Sequence, residues 1–294
     1  MKTSPSLGIA LGGGGARGAA HIGVLQEMSL AGIEFDIISG VSSGSVIAAM
    51  YAYSKDPFWI EKKMRKLWDN EKYNNSVNFF FNNNSESLFA KLKIKIIEYA
   101  VALLSLHKDS IISKRQLKNS LKTLVPFNDF NDLKIPLKVV VTDLENGKDI
   151  VYESGDIIDA LVQSCSIPGV IAPTYIGKKI ITDGGVGMPI PIPILKKECD
   201  FIIAVDIGLY QYKELDSLNA KSITKRANII TSNRLKGLLS QQADYVIRPD
   251  TLGKNWSEFK YCDELFNQGK IAVKKNIDEL KKKIHEKKQR LLVS

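Results

Sequence analysis

Two short apolar runs near the start of the chain, each followed by glycine and then by a stretch of helical spacing, constrain the fold more than any other feature. Leu7 to Leu11 runs into Gly12-Gly13-Gly14-Gly15-Ala16-Arg17-Gly18. Apolar residues then recur at helical spacing within Ala16 to Leu30, at Ala20, Val24, Leu25 and Met28. Phe35 to Ser39 is a second apolar run, and Ser43 to Tyr53 a second helix. A strand that passes through a helix to the next strand re-enters the sheet parallel to the first, with the helices packed on its faces. The order predicts an α/β fold with a mostly parallel central sheet.

The alternation resumes far downstream. Leu137 to Val141 reads as a buried strand with Ile150 to Glu153 as its partner, Ile157 to Ser164 as a helix, and Lys179 to Thr182 and Phe201 to Asp206 as strands. A lysine-rich helix over Ser222 to Leu239, a strand at Tyr245 to Arg248 and a long basic helix from Glu258 to Lys288 complete the chain. Between the two alternating blocks the character changes. Residues 54–126 carry lysine-rich helical segments near 57–69, 86–106 and 113–124, around a polar loop at 74–84 that holds Phe79-Phe80-Phe81. The three phenylalanines read as a core anchor, with an apolar tip at a lipid surface as the alternative. We expect one domain over residues 1–294, with 54–126 as a variable basic helical insertion forming a cap and 271–294 as a basic tail. A chain of 294 residues with 44% hydrophobic and 25% charged residues can bury a large core without staples.

The net charge of +9 admits two readings: affinity for an anionic surface, or solvated lysine faces on amphipathic helices. No zinc-finger spacing or aromatic-rich basic sheet motif is visible, so no nucleic-acid partner is expected. Cys165, Cys199 and Cys262 are too few and too scattered for a disulfide framework or a zinc site, and fit a reducing compartment. Met1 to Gly8 has no apolar run of signal-peptide kind, and Ala160 to Gly177 is interrupted by Pro168 and Pro173. Cytoplasmic residence is the expectation, with peripheral contact to anionic membrane left open.

Within the glycine loop, Gly13, Gly15 and Gly18 match the dinucleotide fingerprint, so an oxidoreductase is one reading. That reading needs an acid at the end of the second strand, whereas Glu34 and Asp36 precede Ile37-Ile38. The second reading comes from Gly40-Val41-Ser42-Ser43-Gly44, a G-x-S-x-G match between a strand and a helix, where a nucleophile elbow has to sit. Of the nearby serines only Ser42 has glycine two residues away on both sides, while Ser43 and Ser45 cap or pack the helix. Adjacent parallel strands bring both loops to one sheet edge, with N–H groups of Gly13 and Gly14 beside Ser42 as an oxyanion hole.

A serine nucleophile needs a base. None of His21, His107 and His285 follows a late strand, where a triad histidine is expected. Asp183 in Thr182-Asp183-Gly184-Gly185 closes an apolar strand. It is either an ordinary Asp-Gly turn or a partly desolvated carboxylate able to serve as base to Ser42.

Gly13-Gly14-Gly15-Ala16-Arg17-Gly18, Gly40-Val41-Ser42-Ser43-Gly44 and Asp183-Gly184-Gly185, in that order, resemble the motifs of the patatin-like phospholipase family. Thr142-Asp143-Leu144, Ser164-Cys165-Ser166-Ile167-Pro168-Gly169, Pro189-Ile190-Pro191 and Ala243-Asp244-Tyr245-Val246-Ile247-Arg248-Pro249 look like segments of its bacterial members, relatives of the neuropathy target esterase domain. The similarity covers about 7–53 and 135–270. It implies a three-layer α/β/α fold of lysophospholipase-like type, a Ser42–Asp183 dyad without histidine, an oxyanion hole from Gly13, Gly14 and Gly15, no cofactor and no metal. Substrates would be phospholipids, lysophospholipids or neutral acyl esters. Arg17 falls on the family's basic position, with two roles open: orienting an anionic head group, or bracing the loop through backbone carbonyls. Pro168 and Pro189 read as loop geometry, and Asp206 as a turn or cap residue. A lipid-binding module without catalysis is the remaining alternative.

Overall fold

A computed structural model describes residues 5–68, 113–215 and 217–293. The helix read near 86–106, the loop at 74–84 with its phenylalanines, and His107 lie outside the described residues. Among the described residues eight strands form one sheet. β1 (Leu7–Leu11) is flanked by β2 (Ile37–Val41) and β7 (Phe201–Val205), both parallel to it. β3 (Leu137–Asp143) lies parallel to β2, and β8 (Tyr245–Ile247) parallel to β7. The antiparallel strands collect at one side: β4 (Lys148–Tyr152) and β6 (Lys179–Asp183) pair with β3, and β5 (Thr174–Ile176) pairs with β6.

The register of β3 positions the site. Its residues Val139 to Asp143 pair with β4, so the other edge is shared. β2 takes the first part, ending at Val41↔Val140, and β6 takes the second, beginning at Val141↔Asp183. One runs parallel to β3 and the other antiparallel, so β2 and β6 run toward each other along a single edge. Their ends, Val41 and Asp183, face consecutive residues of β3.

Alternate residues of the strands supply two cores, as the period of two in an extended strand requires. Ile9 and Leu11, with Ile203 and Val205, enter the larger core, and Ala10, Ile202 and Ala204 the smaller. Helices cover the larger face: α1 (Ala19–Leu30), α2 (Ser43–Ser54), α3 (Pro57–Trp68), α4 (Lys114–Leu124), α5 (Ile157–Ser164) and, after α6 (Ala220–Ser240), the helix α7 (Cys262–Lys274). The other face is thinner, covered by Ile190 to Leu195 and by Leu239 at the end of α6. The two ends of the 54–126 region meet: the Tyr53 and Phe127 rings stack at 4.3 Å, and Lys134 N–H donates to the Ala52 carbonyl at 2.8 Å.

Four boundaries differ from the sequence expectation. The second strand extends through Gly40 and Val41, because both find ladder partners on β3. The helix expected from Ala16 begins as a 3-10 turn over Gly15–Gly18. Thr174 to Ile176, outside every strand and helix expected above, forms a hairpin strand with β6 through a turn at Gly177, whose φ is 59°. The long terminal helix breaks at Lys275-Asn276 into α7 and α8 (Ile277–Val293). There the Asn276 amide side chain caps back onto the Ala272 carbonyl, and Tyr245 donates to the Asn276 carbonyl at 3.4 Å.

Candidate active site

Ser42 stands between β2 and α2 with φ 54° and ψ −130°, a conformation that costs a non-glycine residue about 1–3 kcal/mol. Three bonds hold it there. Its N–H donates to Ser164 Oγ at 2.9 Å, and Ser164 in turn donates to the Val140 carbonyl at 2.8 Å. Ser45 Oγ donates to the Ser42 carbonyl at 2.6 Å. The flanking glycines are required by close backbone approach. A Cβ at Gly40 would lie 2.5 Å from the Ser45 Cα, and one at Gly44 would lie 2.7 Å from the Gly12 carbonyl oxygen and closer still to that of Leu11. Alanine at an ordinary helix position is favoured over glycine by about 1 kcal/mol. Here the clash with fixed backbone outweighs that gain, and Gly44→Ala is expected to lose about 3 kcal/mol or more, read as a lowered urea midpoint. A variant as stable as the parent would show that the elbow and the glycine loop do not close on each other.

Asp183 is 5% exposed, at the end of β6, where it pairs with Val141 of β3, next to the Val140 that Val41 pairs with. Its Oδ1 accepts the Gly185 N–H at 2.7 Å. The carboxyl is raised on balance from 3.8 to about 6: burial pushes it up, and Ser42 as side-chain hydrogen-bond partner, the Gly185 N–H and the charge of Lys236 offset part of that rise. The carboxyl therefore changes charge within a unit or so of neutrality, the range useful to a base.

The glycine loop divides its N–H groups. Gly12 donates to the Val205 carbonyl at 3.1 Å and Gly13 to the Pro189 carbonyl at 3.0 Å. The expectation that Gly13 supplies an oxyanion donor is thereby corrected, since its N–H is already committed. Gly14 and Gly15 have no acceptor among the described residues. Nor does the loop leave space for a pyrophosphate. Ile207 packs on Gly14, the Trp256 backbone packs on Gly15, and Ala16 N–H donates to the Trp256 carbonyl at 2.7 Å. The dinucleotide reading fails on that packing.

Under the loop lies a buried polar cluster. His21 is fully buried with Nε2 at 2.8 Å from the Gly12 carbonyl, and burial lowers its pKa to about 4, so it is a neutral donor to the loop. His285 is exposed on α8, beside Gln289. Arg17 is 8% exposed, and its guanidinium donates to the Lys254 carbonyl at 3.5 Å, the bracing contact of its two possible roles. Asp206 accepts from Gly208 N–H at 2.9 Å, as a turn residue would, and also from Tyr210 at 2.5 Å and Arg248 at 3.3 Å. Lys236 on α6 donates to the Gly13 carbonyl at 3.3 Å. Sequence reading missed Lys236, which looks like any lysine of a basic helix. The one trace is that Asn233, Lys236 and Ser240, three and four residues apart, form a buried polar stripe.

A cavity of about 740 Å³ opens beside Ser42, within the range of small-molecule sites. Its walls are largely apolar: Val46 and Ile47 from α2, Met64 from α3, Leu117 and Leu121 from α4, and Ile171.

A family model described as patatin-like phospholipase matches residues 9–196, which include the glycine loop, the elbow and Asp183. The chain belongs to the patatin-like phospholipase family. An uncharacterized NTE family protein of Mycobacterium bovis is 29% identical over 209 residues, covering 70% of this chain and 50% of that relative. A patatin-like phospholipase domain-containing protein of Caenorhabditis elegans is 30% identical over 240 residues, 78% of this chain and 16% of its own. The neuropathy target esterase sws of Drosophila melanogaster is 26% identical over 209 residues, 70% and 13%. This patatin-like chain thus spans half the length of the mycobacterial relative and less of the animal ones. VipD from Legionella pneumophila superposes with a TM-score of 0.48 at 16% identity, over 94% of this chain and 67% of that one.

Proposed function

We propose that the protein is a serine acyl hydrolase that cleaves fatty-acyl esters of phospholipids or lysophospholipids through a Ser42–Asp183 dyad. The observation that carries this reading is the meeting of a strained serine and a buried carboxyl, titrating at about 6, at the mouth of an apolar cavity. Asp183 takes the Ser42 proton as Ser42 Oγ attacks the ester carbonyl carbon. The tetrahedral oxyanion is held by the N–H groups of Gly14 and Gly15. Collapse expels the alcohol, which leaves with the proton that Asp183 holds. Water, deprotonated by Asp183, then attacks the acyl-serine, and collapse releases the fatty acid as Asp183 returns that proton to Ser42 Oγ. The apolar walls contributed by α2, α3 and α4 would take the acyl chain.

A reactive fluorophosphonate followed by peptide mapping tests the assignment. Label on Ser42 supports it, and label elsewhere, or turnover without label, would overturn it. Labelling and turnover both absent would favour a lipid-binding module instead.

The base also sets a pH dependence. Only the ionised carboxylate accepts a proton, so kcat/KM is expected to fall about tenfold per pH unit below about 6 and to level off above it. A flat profile between pH 5 and 7 would remove Asp183 from the base role. Peripheral contact with membrane is part of the proposal because lysines such as Lys281, Lys282 and Lys283 lie exposed on α8. Among the described residues no helix is long and apolar enough to cross a membrane. Co-sedimentation with vesicles is expected to rise with anionic lipid content, and binding that ignores it would end this part of the reading.

A further inference from the structure

A buried ammonium group is costly unless something holds it. Lys236 is 4% exposed, and its hydrogen bond reaches across 223 residues to one atom, the carbonyl oxygen of Gly13. The peptide units of the glycine loop show what that bond does. The unit joining Gly12 to Gly13 is fastened at both ends: its carbonyl meets His21 Nε2 and its N–H meets the Pro189 carbonyl. The next unit, joining Gly13 to Gly14, is fastened at its carbonyl by Lys236, while its N–H has no acceptor among the described residues. No peptide bond in the described residues is cis, so this unit is planar and trans, with its N–H directed opposite to its carbonyl. Holding the Gly13 carbonyl toward Lys236 therefore directs the Gly14 N–H to the other side. Gly13 itself closes on the nucleophile, since a Cβ there would lie 3.2 Å from the Ser42 Cβ. Between two glycines such a unit turns over at little steric cost unless it is pinned.

We propose that Lys236 is a positioning residue of the acyl-transfer site, which pins the Gly13 carbonyl so that the Gly14 N–H stays aimed at the developing oxyanion. The inference rests on the hydrolase reading above. It assigns to α6, a helix outside all three motifs, a part in the reaction. It also accounts for a buried lysine beside Arg17, whose like charge opposes it. Asp206 and Asp183 favour its charged form, and His21 faces the same cluster.

The first measurement is wild-type turnover of a short-chain acyl ester, since a protein without turnover fails the hydrolase reading before Lys236 is at issue. With turnover established, Lys236→Met is expected to lower kcat roughly 10- to 100-fold with KM within about twofold, because a misaimed donor costs the transition state rather than substrate binding. The rate of fluorophosphonate labelling of Ser42 is expected to fall by a similar factor. Lys236→Arg, which keeps a charge and donors, is expected to recover part of the loss. A merely structural lysine would change thermal stability and KM and leave this split unseen. Should Lys236→Met not fold, the wild-type pH profile decides. Burial with the nearby Arg17 lowers Lys236 to about 8, so kcat is expected to fall as pH rises through that value. A folded Lys236→Met variant with kcat within about threefold of wild type, or a wild-type kcat flat from pH 7 to 9, would overturn the proposal.

Discussion

Ser42→Ala is expected to lower kcat on a short-chain acyl ester by about 10⁴-fold or more while leaving the fold in place. The loss is large because no other described hydroxyl shares the position. Ser43 Oγ is buried without a partner against Gly18, and Ser45 is spent on the Ser42 carbonyl. Stability should hardly change. The bonds that keep the elbow in its left-handed conformation run through the Ser42 backbone N–H and carbonyl, and alanine retains both. Ser42→Gly is the informative companion. It removes the nucleophile as completely, and it also relieves the positive φ, so it is expected to be more stable than the alanine variant by about 1 kcal/mol. Urea unfolding of the two beside wild type checks both statements. An alanine variant retaining a tenth of the parental turnover would remove Ser42 from the mechanism.

Asp183→Asn is the second large effect, and it acts in opposite directions on activity and stability. Without a carboxylate the serine keeps its proton, and kcat is expected to drop by about 10³- to 10⁴-fold. The stability argument follows from proton linkage. The folded carboxyl titrates at about 6 against 3.8 for the free group, so between these values the folded state binds the more protons. Stability therefore declines as pH rises from about 4 to about 6, and above that range the full burden of the buried charge remains. A displacement of that size corresponds to at most about 3 kcal/mol. Neutral asparagine escapes it, at the cost of weaker acceptance of the Gly185 N–H. At pH 8 the inactive variant is expected to melt several degrees above the parent, and at pH 4 the advantage should vanish. A variant less stable than the parent at pH 8 would mean that the ionised carboxylate is better solvated than its burial indicates.

The region around the two motifs was the most legible part of the chain. Gly40, Ser42 and Gly44 announce an elbow because its strain and its close approach to Leu11 and Gly12 are local demands, written within five residues. The alternation of apolar runs and helical spacing identified β1, α1, β2 and α2 for the same reason. Legibility fell where a residue's part depends on a distant partner. Thr174 to Ile176 is too short for periodicity to mark as a strand, and only β6 makes it one. Gly13 looked like an oxyanion donor until Pro189, 176 positions away, took its N–H.

By itself, then, the sequence determined the strand–helix order, the glycine-flanked serine turn and a short set of candidate acids, since each rests on local conformation and on residue types at fixed spacing. Only the tertiary structure decided which N–H groups of the glycine loop stay open, that β2 and β6 converge on Ser42 and Asp183, and that Lys236 of α6 turns inward to the loop. The physical reason is that a hydrogen-bond donor, a desolvated carboxyl or a buried ammonium is defined by what surrounds it, and those surroundings come from strands and helices more than a hundred residues apart.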